Sequence, residues 1–165
     1  MRRFWQGSND HRGTPERPGR VVTLIPRDEW QTKFQLVDPH PPAPRVYGML
    51  YKVADENIDH VIRQLDHREK NGYDMHKTRV YGLDGGVLVE DAVLYIATTS
   101  NDSFLGPIVG DDGVECVAQH IAASVGPSGR NSDYLLQLAE ALRLITTDTD
   151  HHIADLEQRV KQIMK

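Results

Sequence analysis

The sequence has little cysteine, no long apolar run and little net charge. Its single cysteine, Cys116, excludes an internal disulfide and a metal site built from several thiolates. No apolar run approaches the roughly 20 residues that a helix needs to cross a bilayer, and residues 1–8 lack the apolar core of a signal peptide. These absences predict a cytoplasmic protein that does not enter a membrane.

The charge balance argues against one broad class of partner. The 165 residues include 19 Lys and Arg against 24 Asp and Glu, a net charge of −5 with neutral histidine. Such a chain has no dominant basic field, so we expect no nucleic-acid partner. With 39% hydrophobic and 26% charged residues, the composition is that of a folded globular protein, and the length fits a single domain over residues 1–165.

Four segments rich in β-branched and apolar residues predict strands. They are residues 20–25, 46–53, 78–81 and 92–97. The last of them is a continuous apolar run, which is typical of a buried strand, and Asp84, Gly85 and Gly86 predict a hairpin turn before it. Residues 26–44 contain five prolines, so we expect a long surface loop there.

Four other segments carry apolar residues at helical spacing. They are residues 55–69, 114–122, 131–145 and 148–163. Asn131 or Ser132 would cap the third of these helices, and Asp148 or Asp150 the fourth. Strands come early and helices cluster late, which favours an α+β fold.

Glu69 is the most informative single residue. It continues the helical stripe of Ile58, Ile62 and Leu65, so its carboxylate would face the core. Burial raises the pKa of a carboxylate, which suits it to act as a general base and then a general acid near neutral pH. The alternative is that the helix frays near Asp66 and that Glu69 caps its exposed end.

Residues 126–131 permit two interpretations. The sequence Gly-Pro-Ser-Gly-Arg-Asn before a helix resembles an anion cradle. A plain turn with Asn131 as helix cap is favoured over it. Tyr134, three residues further on, would either present its hydroxyl near this loop or serve as half-buried packing.

Other chemically capable residues carry weaker signals. Residues 148–152 include two aspartates, His151 and His152, but neighbours on a helix diverge, so a metal site is not favoured. Ser8, Asp10 and His11 have the residue types of a catalytic triad, yet triads are assembled from separate elements. Cys116 has no flanking cation to lower the pKa of its thiol.

Seven short segments form an ordered series along nearly the whole chain. They are RRFWQGS at 2–8, DHRGTP at 10–15, PGRVVTL at 18–24, LDHREKNGY at 65–73, LYIA at 94–97, LGP at 105–107 and GPSGRN at 126–131. Each is weak alone, but together and in this order they resemble the ChaC family of γ-glutamylcyclotransferases.

The resemblance implies a fold, an activity and two site residues. The fold would be α+β, a mixed β-sheet resembling a small barrel with peripheral helices. The activity would be cytoplasmic cleavage of glutathione to 5-oxoproline and cysteinylglycine, without metal or cofactor. Glu69 matches the family's general acid/base, and Tyr134 matches a tyrosine that the family places near the substrate.

Two features depart from the family. Residues 26–44 are longer than the family's connection, and the family's first strand with its Tyr-Gly-Ser-Leu loop, which holds the γ-glutamyl group, is missing. The similar letters at 47–50 match a later strand of the family. We therefore expect an N-terminally truncated relative of low solubility, with Phe4, Trp5 and a sheet edge exposed.

Two alternative functions stay open at this stage. One is a catalytically inactive relative or truncated form that acts as a binding protein. The other, less favoured, is a metal-dependent hydrolase that uses His151 and His152.

Overall fold

The computed structural model describes residues 1–68 and 73–165. They divide into two compact units, one of residues 1–48 with 103–165 and one of residues 49–102. The strands are β1 (Arg2–Ser8), β2 (Gly19–Leu24), β3 (Tyr73–Tyr81), β4 (Val87–Ala97), β5 (Val125–Gly126) and β6 (Gly129–Arg130). The helices are α1 (Arg27–Glu29), α2 (Ile58–Arg68), α3 (Gly113–Ala123), α4 (Asn131–Ile145) and α5 (His151–Ile163).

The first unit is built on an antiparallel pair, β1 with β2. The register shifts between Arg3 and Gln6, which marks a β-bulge at Phe4 and Trp5. Phe4 is 0% and Trp5 2% exposed, so the expectation that both are exposed was wrong, and it cannot support the expected low solubility. Their burial follows from packing of the helices on one side of this pair and of residues 26–34 on the other.

The helices of this unit follow the predicted periodicity. α3, α4 and α5 pack against one another and against Phe4 through apolar positions three and four residues apart. The fully buried members are Ala118, Ile121, Leu135, Leu156 and Val160. Burial of each isoleucine, leucine or valine side chain in this set contributes about 1.5–3 kcal/mol relative to exposure, so helical spacing was a sound guide here.

Residues 26–44 lie largely at the surface, as predicted, but they are not a plain loop. α1 continues as a π-helical turn, Trp30–Phe34, and Trp30 is buried against Trp5 and Ile25. Asp38 and His40 are also buried. The prolines interrupt regular structure in this segment, but the buried side chains of Trp30, Asp38 and His40 anchor it in the core.

The second unit contains α2, preceded by a short 3-10 turn (Asp55–Asn57), and the β3–β4 hairpin. The turn at Gly85 is confirmed, and its φ of +86° is one that glycine adopts without strain. The predicted strand at 46–53 was wrong, because these residues form no regular structure. In β4, the predicted strand residues 92–97 are mostly half-buried, with Ala97 buried and Val93 exposed, whereas residues 87–91 are exposed. Within the described residues β3 is the only strand paired with β4.

The α+β class is confirmed, with one correction to the sheet. Among the described residues the strands form three two-stranded sheets, all antiparallel. The expected mixed, barrel-like sheet is therefore not closed within residues 1–68 and 73–165. In the same part of the chain, no helix combines the length and the apolar character needed to span a bilayer.

Asn131 stabilises β2 instead of capping α4. Its Oδ1 accepts from the Arg20 backbone N–H and its Nδ2 donates to the Arg20 carbonyl, both at 2.7 Å, and it is fully buried. The predicted cap at Asp150 is confirmed, because its carboxylate accepts from the Ile153 N–H at 3.3 Å.

We expect Asn131→Asp to lower the free energy of unfolding by about 1–3 kcal/mol, since the Arg20 carbonyl loses its donor and a carboxylate becomes buried. Urea unfolding measures this loss. Gln137→Glu, on an exposed position of the same helix, is the matched control. Equal midpoints for the two variants would contradict the role given to Asn131.

Candidate active site

Two residues were predicted to form the site, and the structure describes one of them. Glu69 lies outside the described residues, so its role stays a prediction. Tyr134 lies in the first turn of α4 and is half-buried. The structure therefore supports an account of the surroundings of Tyr134 in the first unit.

The Tyr134 ring lies between an aromatic ring and a cation. Phe4 meets it edge to face, with ring centroids 5.7 Å apart, and Arg12 Cζ lies 5.5 Å from its centroid. Both arrangements are favourable for an aromatic ring. These two contacts hold the ring in one orientation, and the position of the Tyr134 hydroxyl is fixed with it.

The electrostatics of the Tyr134 hydroxyl favour its neutral form. Burial raises the pKa of Tyr134, while a backbone hydrogen bond with Val22 and the charges of Arg2 and Arg12 oppose the rise without cancelling it. The group is therefore a phenol at neutral pH, able to donate a hydrogen bond. Two guanidinium groups near it make this region favourable for an anion.

Arg12 is held by the loops around it. Its backbone N–H donates to Ser8 Oγ at 3.1 Å and its Nη1 donates to the Arg130 carbonyl at 3.2 Å. The guanidinium thus bridges the loop after β1 to the end of β6 and lies over Tyr134. This bridge joins segments 10–15 and 126–131 in space.

Residues 126–131 form a turn, as favoured, and not an anion cradle. β5 and β6 pair across Pro127 and Ser128. Two backbone N–H groups that an anion would need are already used: Ser128 N–H donates to His11 O at 2.9 Å, and Asn131 N–H donates to Ser124 O at 3.0 Å. A Cβ on Gly126 would lie 2.2 Å from His11 O. Glycine is required there by this close approach.

The triad types near the start of the chain do not converge. Ser8 is buried and its Oγ accepts from Arg12, while His11 Nδ1 lies 3.0 Å from Ser128 Oγ. A triad needs its serine and histidine hydrogen bonded to each other. Ser8, Asp10 and His11 are therefore not a catalytic triad.

Arg20 is a buried cation that ties β2 to the motif at 105–107. Its Nη1 donates to the Phe4 carbonyl at 3.2 Å and to the Gly106 carbonyl at 2.8 Å. Burial lowers the pKa of Arg20 to about 10, so it stays charged at neutral pH. Arg20 thus links segments 18–24 and 105–107 directly.

Sequence analysis missed a buried polar cluster in the first unit. Arg3 Nε donates to Asp38 Oδ2 at 2.6 Å, and Trp30 Nε1 donates to the same oxygen at 2.7 Å. His40 and His152 lie beside this pair, with their Nδ1 atoms 3.2 Å apart. No local pattern reveals the cluster, because its members are up to 149 positions apart in the chain.

The cluster has a metal-like composition but does not fit a metal ion. Ligand atoms of Asp38, His40 and His152 lie within 4.8 Å of one another. His152 Nε2, however, accepts from the Phe4 N–H at 3.0 Å, and a neutral imidazole has only one nitrogen lone pair to offer. Asp38 is already neutralised by Arg3. His151 is exposed where His152 is buried, so the proposed His151–His152 pair diverges as well.

A cavity of about 330 Å³ opens beside Arg2 in the same unit. Arg2 donates to Asp150 at 3.4 Å and to the Tyr47 carbonyl, and Tyr47 donates its hydroxyl to Asp148. Prolines of residues 41–44 line the opposite wall. Arg2 thus lines this cavity, and its charge also acts on the Tyr134 hydroxyl.

Comparisons with known proteins converge on one family. The family model described as "ChaC-like protein" matches residues 1–163. The glutathione-specific γ-glutamylcyclotransferase of Schizosaccharomyces pombe is 34% identical over 168 residues, which cover 100% of this chain and 80% of that protein. The protein of that name from Saccharomyces cerevisiae is 34% identical over 200 residues, covering 98% and 84%.

Solved structures agree with the sequences. A crystal structure of the yeast γ-glutamyl cyclotransferase specific to glutathione superposes with a TM-score of 0.78 at 32% identity, covering 100% of this chain and 87% of that one. A selenomethionine form of the yeast enzyme gives a TM-score of 0.77 at 30% identity, covering 98% and 83%.

Proposed function

Because the chain belongs to the ChaC-like protein family, we propose that it is a γ-glutamylcyclotransferase that cleaves glutathione to 5-oxoproline and cysteinylglycine. The observation that carries the proposal is the match at 34% identity, over all of this chain, to a relative named as specific for glutathione. The whole of residues 1–165 would form one cyclotransferase domain, acting in the cytoplasm. The reaction itself needs no metal, oxidant or second substrate.

The chemistry is an intramolecular acyl transfer. The α-amine of the γ-glutamyl group attacks its own γ-carbonyl carbon, a five-membered lactam closes, and the bond to the cysteine nitrogen breaks. The attacking amine loses one proton and the leaving nitrogen gains one. Since both partners belong to one molecule, the protein's tasks are to fold the substrate, to move the proton and to stabilise the oxyanion.

Glu69 is our proposed proton carrier. A carboxylate with a raised pKa takes the proton from the amine and returns it to the leaving nitrogen, so one residue serves both steps. The assignment rests on the family's glutamate at this place in the Arg-Glu-Lys-x-Gly-Tyr segment. The stripe that leads to residue 69 does not support it, because Ile58 and Ile62 are exposed and the expectation that this face is buried was wrong for them.

Tyr134 is our proposed substrate-binding residue. Its phenol is neutral and half-buried, and the charges of Arg2 and Arg12 act on it. Glutathione carries two carboxylates, and a phenol donor beside two guanidinium groups is suited to one of them. Arg12 would also hold the Tyr134 ring, and with it the hydroxyl donor, in position.

We expect Tyr134→Phe to raise the KM for glutathione about 3- to 10-fold, the equivalent of one lost hydrogen bond. The ring contacts with Phe4 and Arg12 persist in this variant, but the backbone hydrogen bond with Val22 is lost, so the free energy of unfolding should fall by about 0.5–1.5 kcal/mol. Tyr51→Phe, at an exposed tyrosine, is the matched control. A KM equal to that of the control would remove Tyr134 from substrate binding.

Product analysis tests the proposed reaction. The protein is incubated with glutathione, and the products are separated by chromatography and then identified and quantified by mass spectrometry. Equal amounts of 5-oxoproline and cysteinylglycine are expected. Intact glutathione after long incubation, together with a melting temperature that glutathione does not shift, would favour the non-catalytic alternative.

A further inference from the structure

The β-bulge in β1 leaves one backbone donor to be satisfied from outside the sheet. Between Arg3 and Gln6 the regular pairing with β2 is interrupted, and the Phe4 N–H donates to His152 Nε2 at 3.0 Å. Both residues are buried, so water does not replace this acceptor without local opening. His152, on α5, therefore completes the backbone hydrogen bonding of β1.

This single contact fixes the protons on two histidines. Because Nε2 of His152 accepts, its one N–H in the neutral ring is on Nδ1. That N–H faces His40 Nδ1 at 3.2 Å, so His40 must accept there and carry its own proton on Nε2. From Nε2, His40 donates to Asp155 Oδ2 at 3.1 Å.

We propose that His40 and His152 form an acid-sensitive latch that holds the β1 bulge, residues 38–40 and α5 together only while the His152 ring is neutral. The chain of donors runs from Phe4 N–H through the two rings to Asp155 with one proton at each step. An added proton on His152 goes to Nε2 and sets its new N–H against the Phe4 N–H. One of the contacts must then break.

The charges around His152 oppose an added proton. Burial lowers the pKa of His152 well below its ordinary value, and the charge of Arg3 and the proximity of His40 lower it further. Arg20, on β2, acts in the same direction. On α3, the neighbouring side chains at the small cavity beside His152 are the apolar Val114 and Val117.

Two carboxylates face the pair, and neither rescues a protonated His152. Asp38 attracts the charge, but its oxygens are already held by Arg3, by Trp30 and by the His40 backbone N–H. The other oxygen of Asp38, Oδ1, lies 3.5 Å from His40 Nδ1. Asp155 meets only the far side of His40 and shares its charge with Arg159.

The latch makes stability depend on pH in a defined direction. A histidine whose pKa is lower in the folded than in the unfolded state binds fewer protons when folded. Its contribution is therefore complete above about pH 6.5 and is lost as the pH falls below that value. Since Phe4 meets the Tyr134 ring, opening of the bulge also changes the surroundings of Tyr134.

The proton positions are tested on the unaltered protein by ¹⁵N NMR of the histidine rings. The latch requires the Nδ1–H form for His152 and the Nε2–H form for His40 at pH 7.5. It also requires the Tyr134 ring resonances to shift with the same acid midpoint as the His152 signals. An Nε2–H form of His152, or a Tyr134 signal indifferent to that midpoint, would overturn the proposal.

Thermal unfolding of His152→Gln and of a control provides the second test. The glutamine side chain keeps an acceptor for Phe4 but does not titrate. From pH 7.5 to 5.5 we expect the melting temperature of wild type to fall by about 2–4 °C more than that of His152→Gln. His151→Gln, which alters an exposed histidine, should follow wild type, and three parallel curves would contradict the latch. The NMR test decides the matter even where His152→Gln fails to fold.

Discussion

Glu69→Gln is expected to lower kcat for glutathione cleavage by about 10²–10⁴-fold, the usual contribution of a positioned general acid/base. The amide has the size of the carboxylate but neither takes a proton from the attacking amine nor returns one to the leaving nitrogen. Binding contacts to the substrate persist, so KM should change by much less than kcat. The rates are measured from 5-oxoproline formation under saturating glutathione.

The control for this variant is Glu56→Gln, which neutralises an exposed glutamate just before α2. Glu56→Gln should leave kcat unchanged, and both variants should have the melting temperature of the wild type. Glu69→Asp should recover part of the lost rate, because it restores a carboxylate on a shorter side chain. A Glu69→Gln protein with a kcat within a few-fold of wild type would show that Glu69 is not the proton carrier.

Asp38→Asn is expected to give the largest loss of stability, about 3–5 kcal/mol, because it leaves the buried Arg3 guanidinium without its counter-charge. Arg3 and Asp38 are each 1% exposed in their side chains and lie 2.6 Å apart. Arg3 also donates to the Arg2 and His40 carbonyls. The variant should therefore loosen residues 38–40 as well as the ion pair, which urea unfolding followed by tryptophan fluorescence would detect through Trp30.

Asp28→Asn, at an exposed aspartate of α1, is the matched control and should change the free energy of unfolding by less than about 0.5 kcal/mol. Burial raises the pKa of Asp38, but its contacts with His40, Arg3 and Trp30 outweigh burial and hold that pKa well below its ordinary 3.8. A lowered pKa keeps this contribution intact above pH 3.8. This ion pair is therefore not a source of acid sensitivity between pH 7.5 and 5.5. Equal unfolding midpoints for the two aspartate variants would refute the role of Asp38.

Local patterns predicted the features that depend on local packing. The spacing of Val117, Ile121 and Leu135 with their neighbours located α3 and α4, because a residue's place on a helix face is set by its near neighbours. Asp150 was identified as a cap for the same reason. The burial of Phe4 and Trp5 contradicted an expectation that rested on what the family has before them, whereas their own apolar character indicated burial.

Long-range pairing lay beyond such patterns. Asp38 and His40 flank Pro39 within the proline-containing residues 26–44, so they were assigned to the surface. Arg3 and His152, far away in the chain, make their burial favourable. Residues 46–53 have the letters of a strand but no partner strand among the described residues. For the candidate site, Tyr134 came from the family resemblance, and its setting beside Arg12 and Phe4 required coordinates.

The reaction in water enriched with ¹⁸O tests the central claim most directly. Ring closure by the substrate's own amine uses no water, so the account predicts unlabelled 5-oxoproline and cysteinylglycine in equal amounts. Hydrolysis would instead yield glutamate that carries one ¹⁸O atom in its γ-carboxylate. Labelled glutamate would contradict the account, and so would glutathione recovered intact after incubation with the folded protein.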